Sequence, residues 1–158
     1  MTAIDTASSP SPQLLAARVY VDTSALVALV TTEARTGALK QWLRANERVP
    51  LVSADWCVPE VASALAIKVR SQQLDSALAD EAWNEFGAAC DGLLQLTPVA
   101  ATDFSVAAQM CRLAPSGLRA GDALHLAVAL RSECGALLCF DELLNRNAEA
   151  SGLALIRP

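Results

Sequence analysis

Short apolar runs separated by longer helical stretches constrain this chain more than any other feature. The runs lie at 19–21 (VYV), 50–53 (PLVS), 93–97 (LLQLT), 136–140 (ALLCF) and 153–156 (LALI). They are apolar and too short for helices, so they read as buried strands. Helical patterns fill the gaps at 24–30, 32–46, 55–70, 75–90, 102–113, 118–134 and 142–150. Thr32 and Thr102 read as N-caps, Pro59 fits only a first turn, and Gly92, Gly135 and Gly152 read as stop signals. Strands that alternate with helices predict an α/β domain around a short, mostly parallel sheet. Such sheets build their sites outside the C-terminal ends of the strands.

Length allows one such domain. The chain has 158 residues, 53% of them apolar and 18% charged, which excludes a disordered or fibrous protein. The domain is expected at 18–158, after a flexible tail at 1–17. The first twelve residues are rich in Ser, Thr and Pro and lack the basic and apolar regions of a signal peptide. Cys57, Cys90, Cys111, Cys134 and Cys139 are odd in number and form no C-x-x-C pair. They read as buried free thiols, neither a disulfide framework nor a zinc site, in a cytoplasmic protein.

Acidic residues fall where a site is expected. Asp22 and Asp141 each follow a predicted strand and precede a predicted helix. Helix capping and chemistry are equally good readings of each. Glu60 lies in a first helical turn, where the macrodipole alone favours an acid. Asp122 lies on an apolar face with Leu118, Leu126 and Ala129, so its carboxylate needs a partner. Arg119 is one candidate; a cation shared with other carboxylates is the other. Taken together, the four acids form an oxygen-rich set suited to Mg²⁺ or Mn²⁺, and one His without paired Cys does not suit zinc.

Four segments resemble the PIN domain. VYVDTSALVAL at 19–29 is similar to the family's opening strand, with its acid and Thr/Ser pair. PEVASAL at 59–65 looks like the second acidic motif, LRAGDALHLA at 118–127 the most characteristic segment, and 139–150 the closing one. Length and the Asp-Ala-Leu-His-Leu-Ala segment point to the VapC-type toxins of bacterial toxin–antitoxin pairs. The resemblance implies a three-layer α/β/α fold and a divalent-metal-dependent ribonuclease toxin. Asp22, Glu60, Asp122 and Asp141 would hold the metal, and Ser24 would support the first carboxylate. The implied partners are an RNA substrate such as tRNA, a cognate antitoxin and a second copy of the chain. Cys139 departs from the pattern, standing where the family commonly carries Thr. Gly121 is unusual within a helix, and a close approach of metal or backbone would explain it.

In that reading a divalent ion activates water, and no side-chain nucleophile is needed. His125 reads as a packed or hydrogen-bonded residue instead of a general base. Arg119 and Lys68 are the candidate RNA contacts, while Arg70 and Arg112 read as solvated. Trp42, Trp56 and Trp83 fit a core or a partner groove better than base stacking. An aspartyl-phosphate enzyme would want Asp where Ser24 stands, and a receiver domain would want a Lys beyond Lys68, the last in the chain. Nucleotide-binding glycine motifs are absent. The remaining alternative is a PIN-like domain that binds RNA or protein without cutting. The net charge of −5 runs against a nucleic-acid partner. Without the four proposed ligands, however, 13 acids face 12 bases. Recognition by shape or by a few contacts is therefore expected, with no broad basic face.

Overall fold

The computed structural model describes residues 18–158, and the expected tail at 1–17 lies outside the described residues. Five parallel strands form one sheet: β1 (Arg18–Val21), β2 (Leu51–Ala54), β3 (Leu94–Thr97), β4 (Cys134–Leu138) and β5 (Ala154–Ile156). Seven helices connect them: α1 (Thr23–Val30), α2 (Thr36–Ala45), α3 (Cys57–Arg70), α4 (Ser76–Gly92), α5 (Ala101–Arg112), α6 (Ala120–Arg131) and α7 (Glu142–Ala150). The strand order is β3-β2-β1-β4-β5. The chain moves outward from β1 through β2 to β3, then crosses to β4 on the other side. The reversal makes the β1/β4 boundary the switch point of the sheet, where such folds place their sites.

Alternation along the strands makes the layers. Val19, Val21, Ala136 and Leu138 face one core, against Leu26 of α1, Leu39 of α2, Val61 and Leu65 of α3 and Phe86 of α4. Tyr20, Val52, Ala54 and Leu137 face the other, against Ala107 of α5, Leu124 to Ala129 of α6 and Leu144 of α7. The result is a three-layer α/β/α domain. All five cysteines are free, three of them buried. Burial pushes the Cys57 and Cys134 thiols up to about 11. No helix among the described residues is long and apolar enough to cross a membrane.

Several boundaries differ from the sequence expectation for identifiable reasons. The helix expected from Thr32 starts at Thr36, with Arg35 as a cap that makes no side-chain bond. The intervening turn is tied to α1 instead: Thr31 Oγ1 donates to Val27 O at 2.7 Å, and Thr36 Oγ1 accepts the Glu33 N–H at 2.9 Å. Thr102 does not cap α5, because the Asp103 carboxylate reaches back to the Ala100 N–H at 2.8 Å. The helix expected at 118–134 is shorter at both ends. Arg119 is extended at its start, and Glu133 enters the left-handed region (φ 54°) two residues before Gly135. That early exit lets β4 begin at Cys134 and end at Leu138, so Cys139 and Phe140 separate the strand from Asp141.

Candidate active site

The carboxylates gather at the switch point. Asp22 follows β1, and its N–H donates to Leu138 O at 3.0 Å, joining the end of β1 to the end of β4. Its carboxylate is 7% exposed. Oδ2 accepts the Ser24 N–H (2.9 Å) and hydroxyl (2.6 Å), which caps α1. The Phe140 N–H donates to Ser24 Oγ at 2.9 Å, so Ser24 also fixes the loop after β4. Cys139 Sγ lies 3.4 Å from Asp22 Oδ2 and accepts the Asp141 N–H at 3.2 Å. The thiol therefore stands between the two acids, and its burial beside Asp22 pushes its pKa far up, leaving an inert S–H donor.

Glu60 comes from the first turn of α3 and turns inward. Its Oε2 receives His125 Nε2 at 2.6 Å and the Thr23 hydroxyl at 2.5 Å. His125, one turn along α6 from Asp122, is 1% exposed. Its Nδ1 lies 2.7 Å from Tyr20 Oη, and that oxygen accepts the Ala54 N–H at 3.0 Å. A buried relay thus runs Ala54–Tyr20–His125–Glu60 across the ends of β1 and β2. Burial alone would raise the Glu60 pKa, but the bonds from His125, Thr23 and Trp56 outweigh it and hold it low. Burial alone would likewise lower His125, but the Glu60 bond and the charges of Asp22, Glu60 and Asp122 raise it.

Asp122 has no such support. It accepts no hydrogen bond among the described residues, and Arg119 forms no ion pair with it there. Burial raises its pKa, reinforced by the charges of Asp141, Asp22 and Glu60, and His125 offsets only part of this. Asp141 is exposed and spends Oδ1 on the Leu144 N–H (2.8 Å) as the cap of α7. The four acids share one electrostatic field, and all but Asp122 are bonded within it. Among the described residues no three acid, His or Cys side chains are already arranged around a metal position.

Gly121 is explained by close approach. A Cβ there would meet Glu60 Oε1 at 2.9 Å and Trp56 Nε1 at 3.6 Å. The neighbour is the Glu60 carboxylate, not a metal or a backbone segment.

The PIN domain profile matches residues 19–150. The chain belongs to the PIN domain family. This PIN domain is 32% identical over 145 residues to Ribonuclease VapC46 of Mycobacterium tuberculosis, covering 90% of this chain and 98% of that one. Among solved structures it resembles VapC20 of Mycobacterium tuberculosis, a sarcin–ricin loop cleaving toxin. The TM-score is 0.66 and the identity 22%, covering 89% of this chain and 99% of that one. It also resembles VapBC2 from Rickettsia felis bound to a promoter DNA fragment, with a TM-score of 0.59 and 11% identity, covering 87% and 96%. These two likenesses establish the fold.

The PIN domain distributes its cations unevenly around the acids. Arg119 is exposed at the start of α6. Lys68 is not brought to the acids: it sits about 12 Å along α3 from Glu60 and pairs with Glu33 at 2.9 Å. Arg35 escaped sequence reasoning. Its guanidinium lies over the Phe140 ring, 5.0 Å from the centroid, at the rim beside Asp141. Tyr20 and Thr23 also escaped it. A tyrosine in a buried strand needs a partner for its hydroxyl, and that was the available signal for Tyr20.

Proposed function

We propose that this PIN domain is a divalent-metal-dependent ribonuclease that acts as a toxin and is neutralised by a cognate antitoxin. The observation that carries the reading is Asp122, a half-buried carboxylate without a hydrogen-bond donor, facing three further acids. Burial and like charge both penalise its ionised form, and a cation offsets both. The residues fit Mg²⁺ or Mn²⁺, since the donor set is all oxygen. Asp22 and Asp122 would hold the ion, with Glu60 and the exposed Asp141 completing the set directly or through water. A bound divalent ion would supply positive charge at a phosphodiester and acidify a water molecule.

The chain's own residues have separate tasks. Ser24 and Cys139 orient Asp22 by bonding Oδ2, and Oδ1 lies 3.8 Å from His125 Nε2. Thr23 and His125 hold Glu60 ionised, and Tyr20 fixes the imidazole. Arg119, at the start of the helix that carries Asp122, and Arg35, over the ring next to Asp141, would meet RNA phosphates flanking the acids. The ribonuclease name of the VapC46 relative and the toxin likenesses support RNA as substrate and an antitoxin as partner. Self-association remains part of the proposal.

Asp22→Asn tests the reading. Asparagine is an equally good N-cap, so the fold should persist, with an unchanged circular dichroism spectrum and melting temperature. Mn²⁺-dependent RNA cleavage and growth arrest on induction should both disappear. A variant that cleaves RNA as well as its parent removes Asp22 from the site.

A further inference from the structure

We propose that the cavity beside the acids seats an unstacked base of the RNA, next to the phosphodiester that is cut. This inference rests on the ribonuclease reading above. The cavity measures about 310 Å³ and is walled by Trp56, Phe104, Ala108, Cys111, Gly121 and Leu124. Its lining is almost wholly apolar, and two aromatic rings stand open at its edge: Trp56 is 38% exposed and Phe104 57%. The other tryptophans are placed differently. Trp42 packs on the core, and Trp83 leans on Phe86 with ring centroids 5.5 Å apart.

Position ties the cavity to the acids. Gly121 lines it and also lies against Glu60 Oε1, so the two hollows share a wall one residue from Asp122. Trp56 lies just past β2, which neighbours β1 and therefore flanks Asp22. A base attached to the scissile phosphate must lie within about a nucleotide of the acids, as this cavity does.

Charge sets the need. The chain carries −5 overall, Lys68 is engaged by Glu33, and the acids themselves repel phosphate. A neutral base meets aromatic rings without that repulsion, and stacking of this kind is sequence-tolerant. The walls offer almost no polar groups to read a base edge. The site therefore takes any base that has left its stack, as in a loop or single strand, and discriminates against paired RNA.

Short single-stranded RNAs carrying 2-aminopurine at successive positions provide the probe, with the full chain purified free of antitoxin. Binding is read without metal and cleavage with Mn²⁺. The parent should quench the probe at one position, and an abasic nucleotide there should weaken binding about tenfold. Phe104→Ala removes a wall, and Ala108→Trp fills the cavity from an exposed position. Both should lose the quenching, bind intact RNA about tenfold more weakly, and show the loss in KM with little change in kcat. Quenching and binding that survive in both variants, while the parent cleaves RNA, overturn the base site alone. Variants that handle RNA normally but escape the antitoxin assign the cavity to a protein anchor and also overturn it. A parent that neither binds nor cleaves any RNA overturns the ribonuclease reading and this inference with it.

Discussion

His125 is the single histidine of the chain, and it is enclosed by Tyr20, Thr23 and Glu60. Its imidazole can bridge Tyr20 and Glu60 in either protonation state, because Tyr20 Oη serves as donor or acceptor. The Glu60 bond and the surrounding acids raise its pKa above the ordinary 6.5 despite burial. A group whose pKa is raised on folding contributes stability that is fully present below the unfolded value. That contribution is lost as pH rises through the folded value. A lone histidine gives a lone pair of imidazole proton resonances, so NMR reads the titration directly. In metal-free protein the midpoint should lie above 6.5, and Glu60→Gln should lower it. A midpoint at or below 6.5 in the parent contradicts the described contact. The sequence reading of His125 as a bonded residue agrees with the geometry. Its partners were hidden, because Tyr20 lies 105 residues away and Glu60 65. Only the folded sheet brings them within reach.

At the scale of elements, α5 and α6 share an apolar core and are tied in addition by one ion pair. Arg131, at the end of α6, reaches Asp103 with Nε and Nη2 (both 2.8 Å), and Nη2 also donates to Pro98 O at 2.8 Å. Asp103 is 2% exposed and also satisfies the Ala100 N–H that starts α5. Bonding to Arg131 lowers its pKa, so its contribution is present above the ordinary carboxylate range and lost as pH falls through the depressed value. Asp103→Asn should destabilise the protein by about 2 kcal/mol at neutral pH, the scale of a charge-assisted bond. In urea melts the gap to the parent should narrow in acid. A gap that persists unchanged into acid shows that charge is not the cause. The same pair shows why the start of α5 was misread. Thr102 is a good cap by local rules, but a partner 28 residues away in sequence decides the register. The middles of the helices were legible because apolar spacing is local, and the strands because their runs are short and apolar. The ends answer to contacts made by Asp103, Glu133 and the Thr31–Thr36 turn, which apolar spacing does not display.

For the whole molecule, strand order gathers a linear series of acids at one edge of the sheet. Asp22, Glu60, Asp122 and Asp141 are spread over 120 residues, and a parallel sheet with one reversal returns each of them to the same edge. Their order and their positions at predicted element ends were enough to nominate them. Their inequality was not visible: Asp22 is locked, Glu60 is clasped, Asp141 doubles as a cap, and Asp122 stands alone. The aromatic cavity was equally hidden, because its walls come from α5, α6 and the turn before α3.

Gly121 sets helix preference against turnover. Within a helix, glycine costs up to about 1 kcal/mol relative to alanine, so backbone preference alone favours replacing it. A methyl group here would displace a carboxylate clasped by Thr23 and His125. Gly121→Ala should therefore melt close to the parent, because the helix preference of alanine is offset by the disturbed Glu60 clasp, while its Mn²⁺-dependent cleavage falls at least tenfold. Differential scanning calorimetry paired with a cleavage assay checks both halves, and full activity in the variant would refute the conflict. Helix preference alone would not keep a glycine at this position. A glycine in the first turn of this helix is therefore a marker of retained activity.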